Sequence, residues 1–134
     1  MCSIKWNGLN MADELGAPAL RAFFAIAERW SLSELEQMRI LGLTSRFTLQ
    51  RWKAQAQDQA PLRLKRDTIE RISYVLGIYK AINVLLPIRR RADGWARTAN
   101  KAPIFGGRST LDRMTAGNVS DLYEVRKYLD AQLI

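Results

Sequence analysis

Between Arg39 and Arg66, seven basic side chains, Arg39, Arg46, Arg51, Lys53, Arg63, Lys65 and Arg66, stand against one acid, Asp58. Such a concentration suits the neutralisation of backbone phosphates. The polar residues among them suit base edges, because Arg pairs bidentately with guanine and Gln with adenine. Ser45, Arg46, Thr48 and Gln50 are therefore candidate base readers, and Arg51 and Lys53 complete a candidate DNA-binding set. The chain of 134 residues carries 21 Lys and Arg against 13 Asp and Glu, a net charge of +8 that favours a polyanionic partner.

What the sequence lacks narrows its chemistry. It has no His, which removes the commonest general base, the commonest metal ligand and the Ser/His and Cys/His nucleophile arrangements. Its one cysteine, Cys2, has no second Cys with which to share zinc or a disulfide. No metal, no cofactor and no catalysis are expected. Gly106-Gly107-Arg108-Ser109 lacks the spacing of a phosphate-binding loop and reads as a turn entering a helix. Asp121 and Glu124 read as acids favoured by the dipole at a helix start, not as an acid/base pair. The apolar segment from Ala17 to Trp30 is interrupted by Arg21, Glu28 and Arg29, so neither a signal peptide nor a membrane span is expected, and a cytoplasmic protein is.

The elements that must position these residues read as all-α. Residues 1–16 show no sustained period and are expected to form a flexible arm. Pro18 sits at a first-turn position ahead of Leu20, Phe23, Phe24, Ala27 and Trp30, a stripe at helical spacing. Ser33 and Glu36 have the spacing of a capping box, and Leu35, Met38 and Leu41 supply an apolar face up to Gly42, which can close the helix with a positive φ. Thr44 or Ser45 then caps a third helix to about Ala56, with Phe47, Leu49 and Trp52 as its apolar contacts. Helix, glycine turn and polar helix form a helix-turn-helix unit. After a polar linker from Gln55 to Pro61, Asp67 and Glu70 repeat the capping pattern ahead of a helix ending at Leu86, with a kink expected at Gly77. Arg89, Arg90 and Arg91 follow Pro87 as a solvated run, and turns dominate until Ser109 caps a short helix ending near Gly117. A last helix from Asn118 or Ser120 carries Leu122, Val125, Leu129 and Leu133 on one face, and Tyr128 beside Arg126 offers the aromatic and guanidinium anchors that interface cores favour.

A set of these residues resembles the Xre/MbcA/ParS antitoxin family. It comprises the run Arg71-Ile72-Ser73-Tyr74-Val75-Leu76-Gly77-Ile78-Tyr79-Lys80-Ala81, then Trp95, Asn100, Pro103, Phe105-Gly106-Gly107, Ser109, Leu111-Asp112, Met114, Gly117, Leu122, Val125-Arg126 and Tyr128-Leu129-Asp130. The resemblance spans most of residues 20–134. Beyond the arm at 1–16, it implies a helix-turn-helix DNA-binding and dimerisation region at 17–86 and a small helical toxin-binding domain at 87–134. The implied function is that of an antitoxin in a bacterial type II pair, which neutralises a RES-domain toxin that depletes NAD. The antitoxin would also repress its own operon as a homodimer on double-stranded operator DNA. Carried onto this chain, the toxin-facing candidates are Phe105, Gly106, Gly107, Arg126, Tyr128, Leu129, Asp130, Gln132, Leu133 and Ile134. Two other readings compete: a stand-alone helix-turn-helix repressor without a toxin partner, and a small adaptor whose basic surface binds RNA with strong salt dependence and no sequence preference.

Overall fold

The computed structural model describes residues 11–58 and 61–133, and seven helices run through them. Cys2, the rest of the expected arm at 1–10 and the terminal Ile134 lie outside the described residues. The helices are α1 (Met11–Arg29), α2 (Glu34–Leu41), α3 (Arg46–Asp58), α4 (Arg66–Leu85), α5 (Arg89–Trp95), α6 (Thr110–Met114) and α7 (Val119–Gln132). The only extended pairing among the described residues is an isolated bridge between Ala99 and Ser109. The all-α expectation holds. One buried cluster runs from Leu20 to Leu129, so 17–86 and 87–134 share a core, and α4 packs against α1, α2, α5 and α7.

α1 begins at Met11, seven residues ahead of Pro18, so residues 11–16 belong to a helix and not to the expected arm. Proline inside a helix removes a hydrogen bond and costs about 3 kcal/mol, a penalty that tertiary packing must offset. That packing comes from the segment after Pro61. Leu62 and Leu64 are buried in it, and Gly16 lies so close to the Leu62 carbonyl that a Cβ there would sit 1.8 Å from its oxygen. Further along, the stripe of Leu20, Phe23, Ala27 and Trp30 is buried as its spacing requires.

The helix-turn-helix is built by local chemistry. Ser33 and Glu36 form the capping box, with the Glu36 amide donating to Ser33 Oγ at 3.1 Å and the Ser33 amide donating to Glu36 Oε1 at 2.8 Å. Gly42 ends α2 at φ +75°, and four residues, Gly42 to Ser45, separate it from α3. The buried face of α2 is Gln37, Ile40 and Leu41, while Leu35, expected in the core, is 56% exposed. On α3 the stripe is Leu49 and Ala56, seven residues apart. Phe47 lies some 160° around the helix from Leu49 and is 85% exposed, which corrects its expected role as an apolar contact.

The second half departs further from expectation. α4 starts at Arg66 without a side-chain cap: Asp67 bonds Arg71 and Glu70 accepts from the Tyr74 hydroxyl, so the expected capping box does not form. Helical structure runs unbroken through Gly77, which makes room for a neighbour, since a Cβ there would lie 2.5 Å from the Arg126 guanidinium carbon. α5 occupies a stretch read as a charged run and loop; its small buried residues, Ala92 and the adjoining Ala96, carry the helical period beneath three exposed arginines. Ser109 caps α6 in a box with Asp112, but that helix stops at Met114. α7 buries Leu122, Val125 and Leu129 and leaves Leu133 exposed, so Leu133 does not join its apolar face.

Candidate nucleic-acid interface and partner surface

The orientation of α3 follows from its buried stripe. With Leu49 and Ala56 turned inward, Arg46, Phe47, Gln50, Arg51 and Ala54 are exposed on one outward face. The Arg46 side chain is 74% exposed there. At the first turn, Ser45 Oγ accepts from the Thr48 amide at 3.4 Å, which occupies Ser45 as a cap. Thr48 is half-buried on the flank. Lys53, seven residues after Arg46 at the edge of this face, lays its ammonium over the Phe24 ring, 5.6 Å from the centroid, beside a recess of about 650 Å³ between α1 and α3. The six candidate DNA-binding residues thus divide. Arg46, Gln50 and Arg51 project together, Ser45 and Thr48 serve the helix start and its flank, and Lys53 packs on α1.

Among the described residues, an acid of the preceding helix touches this face beside Arg46 and Gln50. Glu34, the first residue of α2, receives Arg46 Nε on Oε1 at 2.9 Å and accepts from Gln50 Nε2 on Oε2. Behind the turn, Arg71 is 9% exposed and donates to the Arg39, Ile40 and Gly117 carbonyls as well as to Asp67. Arg97 plays a similar part at the other end of α2. It bonds the Trp30 and Ser31 carbonyls, at a turn where Ser31 takes φ +54°, and reaches both oxygens of Glu36. That hydrogen bond holds the Glu36 carboxyl below its ordinary value. The sequence gives no sign of either bracing role, since each arginine resembles a surface charge there. Phe47 was within reach of helical geometry once Leu49 and Ala56 were taken as the inward stripe.

The C-terminal candidates also divide. Phe105 is 4% exposed and stands edge-on between Trp95 and Tyr128, with ring centroids 6.1 and 5.4 Å away. Leu129 is buried in the core. In this chain both are packing residues. Tyr128 is half-buried against Phe105. Arg126 lies over Gly77, donates to the Ser73 carbonyl and pairs with Asp130 at 3.5 Å. Gly106 and Gly107 form an exposed turn at φ +58° and +84°, where Gly107 bonds the Asn100 carbonyl. Arg113 braces the same loop through the Ile104 carbonyl and pairs with Asp121. Asp130, Gln132 and Leu133 are exposed, and Ile134 lies outside the described residues. Among the described residues no cluster of His, Cys, Asp and Glu can hold a metal, and no helix is long and apolar enough to cross a membrane.

Comparison with known proteins agrees with this geometry. The chain is 46% identical over 122 residues to the uncharacterized protein y4oB of Sinorhizobium fredii (strain NBRC 101917 / NGR234), an alignment covering 90% of this chain and 89% of that protein. Residues 11–77, from the start of α1 to the middle of α4, match the family described as the antitoxin Xre-like helix-turn-helix domain. With its capped α2, glycine turn and outward polar α3 inside that match, the chain belongs to the family of Xre-like helix-turn-helix antitoxins.

Proposed function

We propose that this protein is the antitoxin of a RES-type toxin–antitoxin pair, which neutralises a NAD-depleting RES-domain toxin and, as a homodimer, represses its own operon. The observation that carries the DNA-binding part is the outward face of α3, where Arg46, Gln50 and Arg51 project from a helix held by the Ser33–Glu36 box and the Gly42 turn. A helix so placed enters the major groove N-terminus first, bringing Arg46 and Gln50 toward base edges and Arg51 toward phosphate. The C-terminal part of the reading rests on the resemblance over residues 95–130, on the exposed Gly106–Gly107 turn and on Asp130, Gln132 and Leu133. Phe105 and Leu129 support that surface from beneath.

Expression of a RES toxin encoded beside this gene, with and without the antitoxin, tests the reading through growth and cellular NAD. Growth arrest with NAD loss, reversed by co-expression, is the expected result. Arrest that co-expression fails to relieve overturns the toxin part and leaves a repressor, which binding to a selected DNA duplex identifies separately.

A further inference from the structure

An acid on a DNA-reading face is an electrostatic anomaly. Glu34 belongs to a chain of net charge +8, yet its carboxylate sits beside Arg46 and Gln50 on the surface that would approach phosphates. Against a polyanion it weakens binding to every sequence alike. Its geometry offers something in return. Arg46 and Gln50 are four residues apart on α3, and the two oxygens of Glu34 take one each: Oε1 from Arg46 Nε at 2.9 Å and Oε2 from Gln50 Nε2.

The donors that Glu34 occupies are not the whole of either side chain. With Nε engaged, Arg46 keeps both terminal nitrogens, the pair that reaches guanine O6 and N7. Gln50, with one Nε2 hydrogen engaged, keeps its second hydrogen and its Oε1 for the N7 and N6 groups of adenine. Two exposed, rotamer-rich side chains are thereby fixed before DNA arrives, and ordering them no longer competes with base contact.

We infer that Glu34 is a positioning residue for DNA reading: its carboxylate holds Arg46 and Gln50 in a base-reading arrangement and repels phosphate, so that it lowers affinity in general and raises discrimination between sequences. This rests on the proposed DNA-binding role of α3. The Gln variant removes the charge, frees Arg46 to swing onto the backbone and loosens the fixed pair. The Asp variant keeps the charge but is one methylene too short to span both partners.

The experiment selects sequences from a random double-stranded DNA library with the full chain, then measures binding of wild type, Glu34→Gln and Glu34→Asp to the selected duplex and to a scrambled duplex across a salt series. Glu34→Gln is expected to bind the scrambled duplex several-fold more tightly and to lose roughly tenfold in the ratio between the two duplexes, with a salt dependence steeper by about one phosphate contact. Glu34→Asp is expected to leave the scrambled affinity near wild type and still lose discrimination. A ratio unchanged in both variants, with or without a lower melting temperature, reduces Glu34 to a helix-start acid and overturns the inference. Should wild type enrich no sequence, the DNA-reading assignment of α3 falls and takes this inference with it; enrichment with unaltered discrimination in the variants removes the inference alone.

Discussion

The two halves of the molecule use the same residue types for opposite ends. On α3, Arg46, Arg51 and Phe47 face outward from a thin hydrophobic stripe. In the C-terminal half, Arg97, Arg113 and Arg126 spend their guanidinium groups on backbone carbonyls and carboxylates, and Phe105 is enclosed by two other rings. A guanidinium presents five donors in a fixed fork, which serves a loop of carbonyls as well as it serves a phosphate. The basic balance of the chain therefore overstates the charge it offers to nucleic acid, because a share of it is structural mortar.

That contrast can be broken most decisively at the aromatic pair. Phe105→Ala should cost about 3–5 kcal/mol in urea unfolding, while Phe47→Ala should stay within about 0.5 kcal/mol, as expected for a core and a surface ring. Equal costs would dissolve the division between the halves. Next in size, Arg71→Ala should destabilise the fold by about 3 kcal/mol, because the guanidinium's bonds to the Ile40 and Gly117 carbonyls and to Asp67 are lost together. Arg71→Lys, which keeps the charge without the fork, should recover part of the loss. A melting temperature unaltered by Arg71→Ala would show that water replaces the guanidinium at no cost.

Smaller effects sharpen the nucleic-acid side. Arg46→Ala should relax specificity at one base position by about 1–3 kcal/mol, whereas Arg51→Ala should weaken all duplexes alike and flatten the salt slope. Identical binding by both variants and wild type would remove α3 from the interface. The smallest expected effect is that of Glu36. Its folded-state carboxyl is held below the ordinary value of 4.5, first by the Arg97 hydrogen bond, so its contribution to stability is present above that value and lost as pH falls below it. Denaturation midpoints of wild type and Glu36→Gln should accordingly differ at pH 7 and converge in acid, and a gap that persists there would place the stabilisation elsewhere.

Signals that close within a turn of chain were legible in the sequence: the Ser33 box, the Gly42 stop, the Ser109 cap and the Leu122–Val125–Leu129 stripe all appear where their spacing places them. Failures arise where another partner competes with the local signal or where the signal itself is faint. Pro18 suggests a helix start, yet the Leu62 backbone packed on Gly16 lets α1 continue upstream. Asp67 and Glu70 have the spacing of a cap, yet each finds a partner one turn along its own helix. α5 escapes notice because alanines carry its buried positions, and alanine contributes little to an apolar period. At the candidate sites, residue type singled out α3 and the last helix, and exposure sorted the candidates: Arg46, Gln50 and Arg51 project outward, Lys53 lies along α1, and Phe105 and Leu129 are buried.

Arg71 makes the helix-turn-helix a poor candidate for transplantation. Its fork joins the end of α2 to the carbonyl of Gly117, 46 residues further along the chain, and α4 itself crosses position 77, where the family match ends. A cut there would divide a helix and strip the guanidinium of an acceptor. The two halves should therefore melt in one cooperative transition, and in evolution they should be inherited as a unit: a lineage that exchanged its C-terminal half for another would also have to supply a carbonyl where Gly117 stands.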